Sequence, residues 1–123
     1  VADRFVSSNM AHQGGKIGDP ERRREFLRRN DAYEYGELGI PRPDLTIIVR
    51  VPVEVGILRV AEAGGAKNAH ERDERHLRNA AEAYMDMVNL FPGFQVIECM
   101  EDGVQLPQNR IHEMVWAYIK PLL

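Results

Sequence analysis

The chain predicts an α/β fold, a parallel sheet flanked by helices, and three observations carry that expectation. Short segments of β-branched, nearly all-apolar sequence alternate with longer segments whose apolar residues recur at three- and four-residue spacing. The order along the chain is strand, helix, strand, helix, with connections long enough for right-handed crossovers between parallel strands. No internal repeat or low-complexity stretch interrupts that order.

Residues 1 to 3 read as the end of a strand, and a chain that opens on Val1 rather than Met is expected to begin partway through that strand. Its sheet neighbours should then lie upstream, because an all-parallel sheet needs more strands than the two found further on. Ser7 and Ser8 suit the cap of a following helix, satisfying backbone N–H groups that have no partner within it. Asp19 and Pro20 supply an N-cap and first-turn proline for a helix from about Glu21 into the Tyr33 to Glu37 region. Its apolar face, Phe26, Leu27 and Tyr33, is thin, and Gly39 with Pro41-Arg42-Pro43 ends it.

Leu45 to Val49 has the composition of a central parallel strand covered on both faces. Val53 to Ala63 reads as a helix with Val53, Ile57, Leu58 and Ala61 inward, broken at Gly64-Gly65. The next eight or so residues carry no apolar period. From about Asp73 a long helix aligns Leu77, Ala80, Ala81, Tyr84, Val88 and Phe91, until Pro92-Gly93 stops it. Phe94 to Cys99 is a second strand, and Asp102-Gly103 turns the chain. A last helix from about Pro107 places Ile111, Val115, Tyr118, Ile119 and Leu122 on one side.

The 123 residues, 44% of them hydrophobic, suit one modest soluble domain. A net charge of -3 argues against a nucleic-acid binder, which needs clustered Lys and Arg. The cluster of Arg22, Arg23, Arg24, Arg28 and Arg29 alternates with Glu21, Glu25 and Asp31, the pattern of a solvated helix face. Cys99 has no cysteine partner and sits in an apolar run, as a small buried residue in a reducing compartment would. The longest apolar run is too short to cross a membrane and no signal peptide is visible, so a cytoplasmic location is expected.

In an open α/β sheet, ligands bind beyond the carboxyl ends of the strands, and residues 3 to 13 occupy such a place. Asp3 can hold a metal-bound water or order Arg4, and the Arg4 guanidinium can grip a phosphate through two parallel hydrogen bonds. From Asn9, His12 and Gln13 lie three and four residues on, so one helix face can present two amides and an imidazole to a planar polar ligand.

The segment D-R-F-V-S-S-N-M-A-H-Q-G resembles the Asp-Arg-Tyr/His-x-x-Ser segment of thymidylate kinases. R-P-D-L-T-I-I-V-R-V-P-V-E-V-G is similar to their Pro-Asp-Leu-Thr strand and Pro-x-Glu-Val-Gly helix start. E-Y-G-E-L-G-I-P-R-P-D-L, K-N-A-H-E-R-D and A-E-A-Y fit the same pattern in order, nearly end to end. The resemblance implies the C-terminal part of a P-loop kinase fold, one partial domain over residues 1–123 with a lid-like segment at about 64–73.

It also implies transfer of the γ-phosphoryl group of ATP to dTMP, with Mg²⁺ bridging the ATP phosphates and two such chains forming a homodimer through helices. Under the resemblance, Arg4 binds the acceptor phosphate and Asp3 faces metal and phosphates through water, without direct metal ligation. Ser8 and Asn9 line the thymine pocket, His12 replaces an aromatic that lies against the deoxyribose, and Gln13 reads the thymine edge. His70 and Glu71 fall near the substrate, and Lys67 and Arg72 in the lid, with Arg59 before it, are candidates for the ATP phosphates. For these three cations a solvated loop is the competing reading. A metal site made of His70 and His76 is not expected, because their helical spacing turns the two imidazoles apart.

Several positions depart from the family pattern. Phe5 replaces Tyr or His, Arg50 stands where the strand commonly ends in Asp, and the places around Ala61 and Ala63 lack the basic residues some members carry. G-x-x-x-x-G-K-[ST], the loop that cradles ATP phosphates, does not occur in the 123 residues, since Gly14-Gly15-Lys16 is followed by Ile17. That motif is expected before Val1, so little kinase activity is expected of these residues alone. Two further readings stand beside this one, another P-loop nucleoside or nucleotide kinase and a non-catalytic nucleotide-binding or dimerisation module.

Overall fold

The computed structural model describes residues 1–62 and 67–123, with the side chains of 60, 61 and 67–73 outside the description. Five helices, α1 (Val6–Gly14), α2 (Pro20–Asp31), α3 (Val53–Glu62), α4 (Lys67–Leu90) and α5 (Gln108–Ile119), combine with four short strands. β1 (Thr46–Arg50) and β2 (Phe94–Glu98) pair in parallel, from Thr46 opposite Phe94 to Arg50 opposite Glu98. Parallel neighbours need a crossover, and α3 with α4 provides it. β3 (Met100–Glu101) and β4 (Val104–Gln105) form an antiparallel hairpin. Asp102 and Gly103 both have positive φ at its tip, 51° and 78°, which matches the right-handed twist of the strands.

The predicted strand end at residues 1 to 3 is not formed: residues 1–5 join neither strand pair and lead directly into α1. Nor do the serines cap that helix. Its N-cap is Phe5, in extended conformation, and the N–H of Ser8 donates to the Phe5 carbonyl at 3.0 Å, so Ser7 and Ser8 lie inside the first turn. α2 begins as expected, with Pro20 in its first turn and the Asp19 carboxylate accepting from the Arg22 N–H at 3.4 Å.

Beyond Asp31 the helix widens into a π-helical turn, Ala32–Glu37, where the Leu38 N–H reaches back to the Tyr33 carbonyl at 2.8 Å. The wider turn rotates the apolar stripe off its α-helical course. Tyr33 is therefore half exposed rather than packed, and Tyr35 takes the more sheltered place.

α4 starts at Lys67, not near Asp73. Its first turns are made of ordinary helix formers with no Gly or Pro, so the helix extends without an apolar stripe to announce it. Much of the predicted lid-like segment 64–73 is thus helical backbone; the proposed hinge at Gly64-Gly65 lies outside the described residues.

Met10 and Ala11 of α1, Leu27 of α2, and Ala83 and Met87 of α4 form the main core, with Val6, Phe26, Tyr84, Leu90, Phe91 and Phe94 packed around them. Burying side chains the size of Leu27 or Met87 contributes about 1.5–3 kcal/mol each. Ala80, Ala83 and Met87 are the buried line of α4, so that part of its apolar face is consumed within the chain. β1 is only partly covered: Ile47 and Ile48 are half-buried and Val49 is exposed, because this sheet has two strands. Leu58 of α3, and Tyr118 and Leu122 near the C-terminus, are exposed where the periodicity placed them inward. The thiol of Cys99 is buried as expected, and burial pushes its pKa up, with Glu98 adding to the rise.

Where α1 ends, it comes within backbone contact of α4 at Gly15. A Cβ there would sit 3.1 Å from the Ala11 carbonyl oxygen, the Ala80 nitrogen and the Asn79 carbonyl carbon. All three are backbone atoms, so relief requires the helices to part. Gly15→Ala is therefore expected to lower stability by about 1–3 kcal/mol, measured by urea unfolding.

Candidate functional site

A trough of about 1480 Å³ opens between the N-terminal segment, β1 and α4. Asp3, Arg4, Phe5, Ser8 and His12 line it from one side, Ile47 to Arg50 from β1, and Leu77, Ala81, Tyr84 and Met85 from α4. Ser8 and His12 share a stripe of α1 because they are four residues apart. Asn9, His12 and Gln13 lie three and four residues apart on α1, but of the three only His12 lines the trough. Asn9 and Gln13 occupy the next stripe, exposed and outside the trough lining, and Lys16 Nζ donates to Gln13 Oε1 at 3.3 Å.

The charges of the trough are nearly all paired. Arg23 Nε donates to Asp86 at 2.7 Å, Arg50 pairs with Glu98 across the two strands at 3.2 Å, and Arg78 meets Glu54 at 3.3 Å and Glu74 at 3.1 Å. Arg42 grips Asp31 through two bonds of 2.9 and 2.7 Å and lies 4.3 Å over the Tyr35 ring; the bonds to Asp31 raise its pKa. Asp3 and Arg4 are the exceptions, neither in an ion pair among the described residues. The Arg4 backbone is in the left-handed region at φ 66°, which an L side chain adopts only under strain.

Arg23 corrects the reading of the α2 arginines as a solvated face. Arg23 is buried, held by Asp86 with Glu82 at 3.5 Å and the Ile17 carbonyl at 3.4 Å. Glu82 and Asp86, one turn apart on α4, were the available sequence signal for a cation from another helix.

His12 has the most perturbed surroundings on α1. Its Nδ1 lies 2.9 Å from Nε2 of His76, the two rings meet nearly coplanar with centroids 5.0 Å apart and 13° between planes, and Tyr84 meets His12 edge-on at 6.4 Å. Burial, then the charges of His76 and Arg4, lower the pKa of His12. The unfolded chain consequently takes up a proton that folded His12 resists. Its stabilising contribution is complete above about pH 6.5 and is lost as pH falls through the lowered folded-state value. Stability is thus expected to decline with acidification from about pH 6.5, and His12→Gln should flatten that slope in urea melts taken across pH.

Arg59 stands apart from the trough, its guanidinium hydrogen-bonded to Gln105 Oε1 of the hairpin. The side chains of Lys67, His70, Glu71 and Arg72 lie outside the described residues, as do the positions Ala61 and Ala63. No cluster of three or more His, Cys, Asp or Glu able to hold a metal forms among the described residues. No helix among them is long and apolar enough to cross a membrane.

No protein-family model matches the chain. Among curated proteins it is 39% identical over 115 residues to thymidylate kinase of Neisseria meningitidis serogroup C, covering 94% of this chain and 53% of that protein. It is 32% identical over 92 residues to thymidylate kinase of Pseudomonas entomophila, covering 75% and 41% respectively. With thymidylate kinase of Nitrobacter hamburgensis the identity is 30% over 123 residues, 98% of this chain and 49% of the relative. The chain spans about half the length of the curated relatives it matches. By sequence, this chain is a relative of the thymidylate kinases.

Proposed function

We propose that the chain supplies the acceptor-nucleotide side of a thymidylate kinase, which transfers the γ-phosphoryl group of ATP to the 5′-phosphate of dTMP and yields dTDP and ADP. The observation that carries this reading is Arg4, unpaired among the described residues and strained at the mouth of the trough, in a chain whose relatives bear that name. Its planar fork can hold two phosphate oxygens of dTMP and keep the attacking oxygen in line. Ser8 offers a hydroxyl and His12 an imidazole to the nucleoside. Asn9 and Gln13 could reach it only from the neighbouring stripe of α1, which makes them the weaker part of the site.

Phosphoryl transfer proceeds by positioning and charge stabilisation, with no covalent nucleophile required. Mg²⁺ suits the donor set on those terms. It keeps several waters and binds substrate phosphates, so a single carboxylate such as Asp3 reaches it through water. Bound with ATP, the ion would neutralise charge on the transferring group. In this proposal Lys67 and Arg72, with His70 and Glu71 nearby, belong to the segment 64–73 that closes over ATP. Arg59 can join them only by releasing Gln105.

The fold of the complete enzyme is then the P-loop kinase fold, and its state a cytoplasmic homodimer. The dimer would have to use helix surface other than Ala80, Ala83 and Met87, which are spent in the core. The missing G-x-x-x-x-G-K-[ST] motif supports a second reading for these 123 residues taken alone, a module that binds nucleotide without transferring phosphate.

Calorimetric titration of the full 123-residue chain with dTMP, UMP and CMP tests the proposal. Tighter binding of dTMP than of either is expected; equal binding of all three removes thymidylate as the substrate. In a coupled assay with ATP and Mg²⁺, dTDP production at background is expected from this chain, and measurable turnover would overturn the need for a phosphate cradle from elsewhere.

A further inference from the structure

We infer that His76 is a positioning residue for His12, clamping its ring by a bond to Nδ1 from α4 so that the trough meets the other nitrogen of that imidazole. His12 lines the trough and His76 does not. The 2.9 Å contact between His12 Nδ1 and His76 Nε2 joins the two rings edge to edge, their planes only 13° apart, so each nitrogen points at the other within the ring planes. That bond fixes the His12 ring's rotation and selects a tautomer. When His12 Nδ1 carries the bridging proton, its Nε2 is left as an acceptor; when His76 carries it, His12 Nε2 is left as a donor. Whichever nitrogen donates, the bond requires at least one of the two imidazoles to be neutral.

The groups around His12 act in the same sense. Arg4 from the N-terminal segment and His76 from α4 both disfavour a charged His12, Tyr84 from α4 closes on its edge, and Arg23 of α2 is already held by Asp86. Protonating His12 is thus harder than protonating a free histidine. As pH falls through its lowered value, the ring loses its acceptor nitrogen and its contact to the nucleoside weakens.

That the trough ligand is thymidine monophosphate rests on the function proposed above, whereas the clamp itself does not. The test has two arms on the full chain. Imidazole nitrogen–proton correlation spectra across pH should show wild-type His12 in a single tautomer, titrating below an ordinary histidine. In His76→Ala, the His12 midpoint should rise and both tautomers should be populated. His76→Phe, which can neither donate nor accept, should lose the tautomer preference as His76→Ala does, and His76→Gln, which can bond the ring again, should restore it in part. All three should melt within a few degrees of wild type, since His76 is exposed.

In the second arm, His76→Ala should weaken dTMP about three- to tenfold above pH 7, with His76→Gln closer to wild type, and should move the acid-side fall in affinity to higher pH. A His12 tautomer and midpoint unchanged in His76→Ala would overturn the clamp. Absence of dTMP binding by the wild-type chain, with the spectroscopic changes present, would sink the functional proposal and leave the clamp standing.

Discussion

Asp86→Ala is expected to destabilise the chain by about 3–5 kcal/mol, enough to unfold much of a domain of ordinary stability at room temperature. Arg23 is 5% exposed and Asp86 provides its 2.7 Å acceptor, so removing the carboxylate leaves a guanidinium inside the α1–α2–α4 junction with only long contacts, to Glu82 at 3.5 Å and the Ile17 carbonyl at 3.4 Å. Glu82 is largely exposed and its ion pair is screened by water, so it cannot replace Asp86. The paired variant Arg23→Met with Asp86→Leu should recover most of the loss, because both desolvation penalties vanish together. Urea unfolding of the two variants checks this. If Asp86→Ala unfolds within about 1 kcal/mol of wild type, water reaches Arg23 and the pair is no internal strut.

Arg4 is expected to give the opposite pattern, a large effect on binding with none on folding. Two charge-assisted hydrogen bonds to phosphate are worth about 1.5–3 kcal/mol each, so Arg4→Ala should weaken dTMP at least about tenfold. Arg4→Gly should do the same. In addition, glycine removes about 1–2 kcal/mol of left-handed strain at φ 66° and adds about 0.5–1 kcal/mol of chain entropy, so this variant should be as stable as wild type or slightly more so. Calorimetric titration and thermal melting, run on both variants, separate the two effects. A loss of stability in Arg4→Gly would mean that the guanidinium works for the fold, and the trough would lose its phosphate ligand.

Local chemistry made much of the fold legible. Asp19-Pro20 placed a helix start, the β-branched run Thr46 to Val49 gave a parallel strand, and Asp102-Gly103 gave the hairpin turn. What failed depended on contacts distant in sequence or on backbone that carries no apolar signal. The early turns of α4 have no Gly or Pro to break a helix and no apolar period to announce one, and the π turn shifted Tyr33 and Tyr35 in a way no α-helical template anticipates. Of the candidate site residues, Asp3, Arg4, Ser8 and His12 line one trough, whereas Asn9 and Gln13 are exposed outside its lining. The Glu82–Asp86 pair one turn apart signalled a cation from elsewhere but not which one, and the meeting of His76 with His12 carried no signal, because both partners, Arg23 and His12, are more than sixty residues away.

The π turn after α2 also bears on how this chain tolerates change in length. A π turn holds one residue more than an α-helical turn would, so Ala32–Glu37 behaves as a stored insertion. Deleting one residue there would let the helix regain ordinary pitch and bring Tyr33 round toward the packed side. It would also carry Tyr35 out from beneath Arg42 and disturb the lock between Asp31 and the segment leading into β1. The wide turn therefore serves as a spacer: it lets α2 and β1 each keep the alignment that their own contacts demand, although the residues between them do not fit a whole number of helical turns.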